Sequence, residues 1–136
     1  MKIKTLSTVA LISIKDRKLL LAFSKNKQAW YLPGGKIDAG ESSLEALVRE
    51  IREELQVSLR PDDVAFYYHA SVPALEEKGA TMEQDCFRCL RSIEPQASAE
   101  IGAIKYFDQA SYLRETRKAH GALFAFEKLK TDGLVD

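Results

Sequence analysis

The stretch GKIDAGESSLEALVREIREELQV, residues 35–57, decides the fold. Apolar residues recur along it at the 3.6-residue spacing of a helix, so they form one stripe that packs on a core: Leu44, Leu47, Val48, Ile51 and Leu55. Ser42 and Glu45 form a capping-box signature, in which each side chain bonds a free backbone N–H of the other residue. The pattern predicts a helix over Ser42–Leu55.

Three glutamates, Glu50, Glu53 and Glu54, lie within one arc of this helix, beside the apolar stripe. They are therefore expected at the edge of the core, partly sheltered from water. Like charges at these spacings cost about 0.2–0.5 kcal/mol per pair, and burial raises that cost. Clustered carboxylate oxygens are the ligands that hard divalent cations prefer, so a metal site is one interpretation. A solvated acidic face is the other.

A breaker and two glycines precede the helix, in Leu32-Pro33-Gly34-Gly35-Lys36. Glycine lets a backbone approach a ligand closely, so this segment is predicted to be a loop that presents a carbonyl to a metal or N–H groups to a phosphate. Lys36 adds a mobile charge suited to a phosphate oxygen. Next to the acidic helix, the loop indicates a metal–phosphate site.

This arrangement resembles the signature of the Nudix (MutT-like) hydrolases. The matching positions are Gly35, Glu41, Arg49, Glu50, Ile51, Glu53, Glu54 and Val57, with five residues between Gly35 and Glu41 and seven between Glu41 and Arg49. One position departs from the family pattern, because Gln56 stands where the family has a glycine. That glycine normally ends the helix in a left-handed conformation, so Gln56 either adopts a strained backbone or ends the helix differently.

The resemblance implies an α+β fold of the Nudix αβα type, with a mixed β-sheet between helices, as a single Nudix domain over residues 1–136. It also implies metal-dependent hydrolysis of the diphosphate linkage in a nucleoside diphosphate-X compound, with Mg²⁺ or Mn²⁺. A nucleoside triphosphate, including an oxidised one, is the favoured substrate, giving a nucleoside monophosphate and pyrophosphate. ADP-ribose or a nucleotide sugar is the alternative, on the placement of Pro73. A non-catalytic nucleotide-sensing module is the alternative of a different class.

The resemblance also assigns roles to matching residues. Glu53 and Glu54 are expected to bind the metal together with the Gly34 carbonyl, and Glu50 is a further ligand or the base that activates water. Arg49 is expected to orient the carboxylates during catalysis. Gly35, Lys36 and Glu41 are expected on the substrate side. Glu100, in the loop before a late strand, is the predicted additional metal ligand; the fallback candidates are Glu83, Asp85 and Glu94.

Composition and charge limit the kinds of binding partner and the cellular location that can be expected. Twenty basic and twenty acidic residues cancel, and there is no basic stripe, which argues against polymeric nucleic acid and leaves a small nucleotide as the expected partner. No run approaches the roughly 18 apolar residues of a membrane span, and the N-terminal apolar run alternates with Ser and Thr like a strand. A cytoplasmic location is therefore expected, and a homodimer is left open.

The rest of the chain predicts mainly strands. They are expected over 5–14, 19–23, 30–32, 64–72, 81–93 and 103–107, with a turn over 73–79, a helical turn over 109–113 and a final helix over 114–130. Cys86 and Cys89 fall in one of these strands. Residues three apart in a strand point to opposite faces, so they are predicted to be free thiols rather than a redox or zinc pair.

Overall fold

The computed structural model describes residues 4–74 and 78–136, so the middle of the turn predicted over 73–79 lies outside the described residues. The elements within those ranges follow in this order: β1 (Lys4–Ile12), β2 (Ile14–Lys15), β3 (Lys18–Ser24), β4 (Ala29–Tyr31), β5 (Gly34–Lys36), α1 (Ser43–Leu55), a 3-10 turn (Pro61–Asp63), β6 (Val64–Pro73), β7 (Ala80–Cys89), β8 (Ile101–Phe107), α2 (Gln109–Leu113) and α3 (His120–Thr131).

The strands form two sheets. The first has the order β5-β1-β7-β6 and is mixed, because β1 and β7 run parallel while the outer pairs are antiparallel. The second is antiparallel, with β3 at its centre between β4 and β8 and with β2 at one end. Parallel pairing of β1 with β7 brings two segments about 75 residues apart side by side, at Leu6–Met82 and Thr8–Gln84.

Alternation along β1 divides the core into two layers. Val9 and Leu11 belong to the layer that contains the buried face of α1, while Ala10 and Ile12 belong to the layer that contains the buried face of α3. Each layer removes a continuous apolar surface from water, which is the main favourable term in folding. Sheet residues thus lie between helices on two sides, and the predicted α+β, αβα arrangement is confirmed.

Helix α1 forms as its sequence predicts. Ser42 precedes the helix and accepts the Glu45 N–H at 3.1 Å, while the Glu45 carboxylate accepts the Ser42 N–H at 2.9 Å. Gln56 closes the helix with φ 55° and ψ 35°, which is the left-handed conformation. The first of the two alternatives for Gln56 is therefore the one the chain adopts.

Two predicted boundaries are wrong. The last helix begins at His120 rather than at residue 114. Residues 114–117 form a turn and bends, and Lys118 then pairs with Trp30 while the Ala119 N–H bonds the Tyr112 hydroxyl at 2.8 Å, which keeps residues 118–119 out of the helix. Strand β7 ends at Cys89 rather than at residue 93, because the Leu90 N–H turns to the Asp63 carbonyl at 2.8 Å.

Other details differ less. The first predicted strand divides at Ser13, whose carbonyl accepts the Leu20 N–H at 2.9 Å. Among the described helices, none has both the length and the apolar character needed to cross a bilayer.

Candidate metal and nucleotide site

The Gly-rich segment is a short strand rather than the predicted loop. Gly34, Gly35 and Lys36 pair antiparallel with β1 at Ala10, Val9 and Thr8. Gly34 has φ +151°, and a Cβ there would lie 2.0 Å from the Val9 carbonyl oxygen, so only glycine fits at this point. The pairing holds the backbone of β5 close to the side of α1.

Two carboxylates of α1 meet this glycine backbone. Glu54 Oε1 accepts the Gly34 N–H at 3.1 Å. The Glu50 carboxylate lies against Gly35, where a Cβ would be only 2.4 Å from Glu50 Cδ. Burial raises the pKa of Glu54 to about 8, opposed in part by the Gly34 N–H and reinforced by Glu50. Burial also raises the pKa of Glu50.

Arg49 holds the edge of this cluster. Its Nε and Nη2 bond the two oxygens of Glu41 at 2.7 and 2.8 Å, and its Nη1 bonds Glu50 Oε1 at 2.8 Å. The hydrogen bonds from Arg49 lower the pKa of Glu41 to about 2. Arg49 Nη2 also donates to the Lys36 carbonyl at 3.1 Å, which ties α1 to β5. A bidentate guanidinium of this kind fixes both position and orientation of a carboxylate.

Glu53 is placed differently. Its side chain is 54% exposed and lies 3.7 Å from Arg49 Nη1, whereas the Glu50 side chain is 16% exposed. Within residues 4–74 and 78–136, no three His, Cys, Asp or Glu side chains are arranged as a ready-made metal cage. The predicted ligand role of Glu53 and that of the Gly34 carbonyl therefore stay predictions.

The residues that do converge fit a hard divalent cation. Glu50 and Glu54 are sheltered carboxylates four residues apart, and each is penalised as a bare charge by burial. They offer only oxygen ligands, which suits Mg²⁺ or Mn²⁺ better than a soft metal. A cation between them would offset both their desolvation and their mutual repulsion.

A cavity of about 300 Å³ opens beside this pair, within the size range of small-molecule sites. Gly34, Gly35, Lys36 and Glu54 form its metal-side wall. The loop before β4 contributes Lys27, whose ammonium lies 4.8 Å from the centre of the Tyr31 ring on the same cavity. The loop before β4 and β4 itself thus place a positive charge and an aromatic ring on the same cavity as the carboxylate of Glu54.

Glu100 also lines the cavity, but its carboxylate is already engaged. Its Oε1 accepts the Ser24 hydroxyl at 2.6 Å and the Asn26 N–H at 2.7 Å, and these bonds hold its pKa below the usual range. Glu100 therefore supports the loop between β3 and β4 in this structure. Its predicted role as an additional metal ligand stays a prediction.

The fallback carboxylates lie elsewhere. His69 bonds Asp85 through Nδ1 at 2.7 Å and Glu83 through Nε2 at 2.9 Å, and Ser43 donates to Asp85 at 2.6 Å. This group joins β6, β7 and the first turn of α1. Neither Glu83 nor Asp85 is among the residues that line the cavity, and Glu94 is exposed.

Sequence reasoning missed Gln84 and the start of α3, both of which line the cavity. A signal for Gln84 existed in β7, where the alternating positions 82, 84 and 86 face the α3 layer and Gln84 is the polar one among them. Cys86 and Cys89 are free, as predicted, and burial raises the pKa of the Cys86 thiol to about 12.

Comparison with known proteins gives a family match. The family model described as NUDIX domain matches residues 4–125. A solved structure, the Escherichia coli ORF135 protein, shares 26% sequence identity with a TM-score of 0.70, and the match covers 98% of this chain and 96% of that one.

Curated relatives match over shorter stretches. The RNA pyrophosphohydrolase of Halorhodospira halophila is 44% identical over 55 residues, covering 40% of this chain and 29% of that protein. The CTP pyrophosphohydrolase of Escherichia coli is 45% identical over 58 residues, covering 40% of this chain and 43% of that protein. The chain therefore spans less than half the length of these relatives.

Proposed function

Because the chain belongs to the NUDIX domain family, we propose that it hydrolyses the diphosphate linkage of a nucleoside triphosphate to a nucleoside monophosphate and pyrophosphate. The observation that carries this proposal is the pair Glu50 and Glu54, held against the β5 glycines at the edge of a nucleotide-sized cavity. The names of the relatives support the class of reaction, since both cited enzymes are pyrophosphohydrolases.

The reaction adds water across one P–O–P linkage. The water oxygen forms a bond to one of the two linked phosphorus atoms, the bridging P–O bond to that atom breaks, and the phosphate group on the other side leaves with the electron pair. Glu50 and Glu54, joined by Glu53 and the Gly34 carbonyl, would hold Mg²⁺ or Mn²⁺. When bound, the metal supplies neutralisation of phosphate charge and Lewis acidity toward the phosphate oxygens.

The remaining tasks fall to the chain itself. Glu50 is either a metal ligand or the carboxylate that takes the proton from the attacking water. Arg49 fixes Glu50 by the bond to Oε1 at 2.8 Å and anchors Glu41 on the other side. Lys27 and Lys36 line the cavity and supply positive charge to phosphate oxygens.

A second substrate class has one observation in its favour. Pro73, whose position suggested ADP-ribose or a nucleotide sugar, lies in the cavity wall rather than only at a strand end. It would contact whatever group occupies that side. The nucleoside triphosphate remains the main proposal because one of the cited relatives is named a CTP pyrophosphohydrolase.

The test is release of product from a substrate panel. The panel contains the nucleoside triphosphates, 8-oxo-dGTP, ADP-ribose, nucleotide sugars and a 5′-triphosphorylated RNA, each with Mg²⁺, Mn²⁺ or EDTA. We expect metal-dependent pyrophosphate release from at least one triphosphate, lost in Glu54→Gln and kept in Glu127→Gln, which alters an exposed glutamate of α3. Nucleotide binding without turnover across the panel would indicate a sensing module instead.

A further inference from the structure

The loop between β3 and β4, residues 25–28, is held at both ends by hydrogen bonds. The Gln28 N–H donates to the Ser24 carbonyl at 2.8 Å, which closes the loop on itself, and Gln28 adopts a left-handed φ of 53°. The Lys25 N–H donates to the Glu100 carbonyl at 3.1 Å, which joins the loop to the segment before β8. The loop residues are exposed, so hydrogen bonds rather than burial fix their backbone.

A clasp made of Ser24 and Glu100 fixes the middle of this loop. Glu100 Oε1 accepts the Ser24 hydroxyl at 2.6 Å and the Asn26 N–H at 2.7 Å. Ser24 is buried, and its Oγ in turn accepts the Lys27 N–H at 3.2 Å. Hydrogen bonds to a charged carboxylate are roughly twice as strong as those between neutral groups. The clasp therefore holds two consecutive N–H groups of an exposed loop.

The side chain of Lys27 extends from the clasped backbone onto the cavity. Its ammonium lies 4.8 Å from the centre of the Tyr31 ring, and both residues line the cavity. Burial raises the pKa of Glu54, and the charge of Lys27 opposes this rise. The hydrogen bonds that Glu100 accepts lower its pKa, and the nearby charge of Lys27 lowers it further. The ammonium thus lies within electrostatic range of both carboxylates.

The segment before β8 is also tied to α1. The Ser98 N–H donates to the Glu54 carbonyl at 3.0 Å, and the Gln96 N–H donates to the Leu55 carbonyl at 2.9 Å, at the end of the helix. A continuous set of hydrogen bonds therefore runs from the backbone of Glu54, through this segment and the clasp, to the backbone of Lys27. It fixes where the Lys27 side chain begins relative to the carboxylate of Glu54.

We propose that the clasp of Ser24 and Glu100 holds Lys27 in position to bind a diphosphate beside Glu54, so that both clasp residues act through the loop. A lysine loses conformational freedom when it binds a phosphate oxygen, and a fixed backbone lowers that cost. This inference rests on the proposed function in taking a diphosphate group as the ligand. It gives Glu100 a task other than metal binding, that of a positioning residue.

The first test separates the hydrogen bonds of Glu100 from its charge, with inorganic pyrophosphate as the probe. Binding is measured by titration calorimetry with Mg²⁺ present, so no turnover is needed. Glu100→Gln keeps an oxygen that accepts both clasp bonds, so it should bind pyrophosphate as tightly as the unaltered protein or more tightly. Glu100→Ala removes the acceptor and should bind about threefold to tenfold less tightly.

The sign of the change in Glu100→Ala is informative. Loss of a negative charge beside an anion would by itself strengthen binding, so weaker binding reports the lost position of the loop. Glu127→Ala, at an exposed position of α3, is the control and should bind pyrophosphate as the unaltered protein does.

The second test asks whether the clasp acts through Lys27. Ser24→Ala removes the hydroxyl between Glu100 and the Lys27 N–H, and Lys27→Met removes the ammonium but keeps a long side chain. Binding of pyrophosphate should weaken about threefold or more in Ser24→Ala and about tenfold or more in Lys27→Met. The double variant should bind like Lys27→Met alone, because the clasp then has no ammonium to position. Lys130→Met, at an exposed position of α3, is the control for a lost positive charge, and thermal melting checks that every variant folds.

A kinetic measurement links the clasp to the proposed reaction. With a triphosphate that the panel shows to be hydrolysed, Ser24→Ala should raise KM more than it lowers kcat. The Mg²⁺ concentration for half-maximal rate should stay unchanged, whereas loss of a metal ligand would raise it.

Four results would overturn the clasp. They are undiminished binding of pyrophosphate by Glu100→Ala, equally weakened binding by Glu100→Gln and Glu100→Ala, effects of Ser24→Ala and Lys27→Met that add in the double variant, and no binding by the unaltered protein at millimolar concentration. The second result would assign Glu100 a role through its charge, as a metal ligand has. If binding changes as expected but no triphosphate is hydrolysed, the proposed function fails while the clasp stands.

Discussion

The carboxylate of Glu50 occupies the space that a side chain on Gly35 would need, because a Cβ on Gly35 would lie 2.4 Å from Glu50 Cδ. Gly35→Ala should therefore push Glu50 away from Arg49 and from the cavity edge. If Glu50 is a metal ligand as proposed, kcat/KM should fall by about 10–100-fold and the Mg²⁺ concentration for half-maximal rate should rise. Steady-state kinetics against Mg²⁺ concentration measure both.

Gly102→Ala is the matched control for that prediction. A Cβ at Gly102 would meet Lys25 Cγ at 3.0 Å, and this long, flexible side chain can move aside. Its rate and its metal dependence should stay near those of the unaltered protein. If Gly35→Ala behaves like Gly102→Ala, the contact between Gly35 and Glu50 does not shape the metal site.

Glu54→Gln should separate catalysis from stability. The change removes a carboxyl group whose charged form is penalised by burial, and it keeps the shape of the side chain, which still can accept the Gly34 N–H. We expect turnover to fall by more than the roughly 100-fold that a residue orienting a ligand contributes. The melting temperature in EDTA at neutral pH should stay equal or rise, because burial raises the pKa of Glu54 to about 8, so the carboxyl must take up a proton on folding, whereas glutamine needs none. A melting temperature that falls clearly would show that Glu54 supports the fold instead.

Arg49→Lys tests whether the guanidinium fork matters or only its charge. A lysine cannot bond both oxygens of Glu41 and also reach Glu50, as Arg49 does at 2.7–2.8 Å. We expect kcat to fall by about tenfold or more with smaller change in KM, because Arg49 acts on the carboxylates rather than on the nucleotide. Arg52→Lys, on the exposed side of the same helix, should have the activity of the unaltered protein.

His69 lies between the carboxylates of Asp85 and Glu83, and this contact should make the stability of the fold depend on pH. Hydrogen bonds to Asp85 and then Glu83 raise the pKa of His69 above its usual value. A raised pKa in the folded state means that this contribution is full below about pH 6.5 and is lost as pH rises through the folded pKa. The melting temperature of His69→Gln should therefore lie below that of the unaltered protein at pH 6, and the two should converge toward pH 9.

The carboxylate partners act in the opposite direction. Hydrogen bonds from Ser71 and His69 lower the pKa of Glu83, and hydrogen bonds from His69 and Ser43, against the effect of burial, lower that of Asp85. Their contribution is present above about pH 4.5 and is lost on acidification. The difference between the two proteins should thus be largest between about pH 4.5 and 6.5. A difference that grows above pH 7 would contradict the assignment.

Structural features whose sequence signal lies within a single element could be predicted from the sequence. Helix α1 was predicted to within one residue because its apolar stripe and its capping box lie inside the helix itself. The placement of Glu50 and Glu54 at the core edge follows from the same periodicity. Glu53 lies on the exposed side of Arg49, whereas Glu50 contacts Gly35 of β5. This difference could not be predicted, because it depends on where β5 packs against the helix.

Features that depend on distant contacts were not predictable. Lys118 and Ala119, just before α3, are held by Trp30 and by the Tyr112 hydroxyl, and no local pattern encodes those bonds. Gly34 and Gly35 form a strand against the usual preference of glycine, because β1 provides the pairing partner. Gln84 meets the start of α3 only after β1, β7 and α3 have packed together.

Gln56 gives a prediction about stability alone. Its left-handed backbone, φ 55° and ψ 35°, costs a non-glycine residue about 1–2 kcal/mol, whereas glycine adopts it freely at an entropic cost of about 0.5–1 kcal/mol. Gln56→Gly should raise the melting temperature by about 1–4 °C with kcat/KM unchanged, since Gln56 is exposed and contributes no cavity wall. Gln96→Gly, where φ is not positive, should lower it. Thermal melts of the two variants measure this difference. Equal destabilisation by both would mean that the Gln56 side chain stabilises the helix end by more than its backbone strain costs.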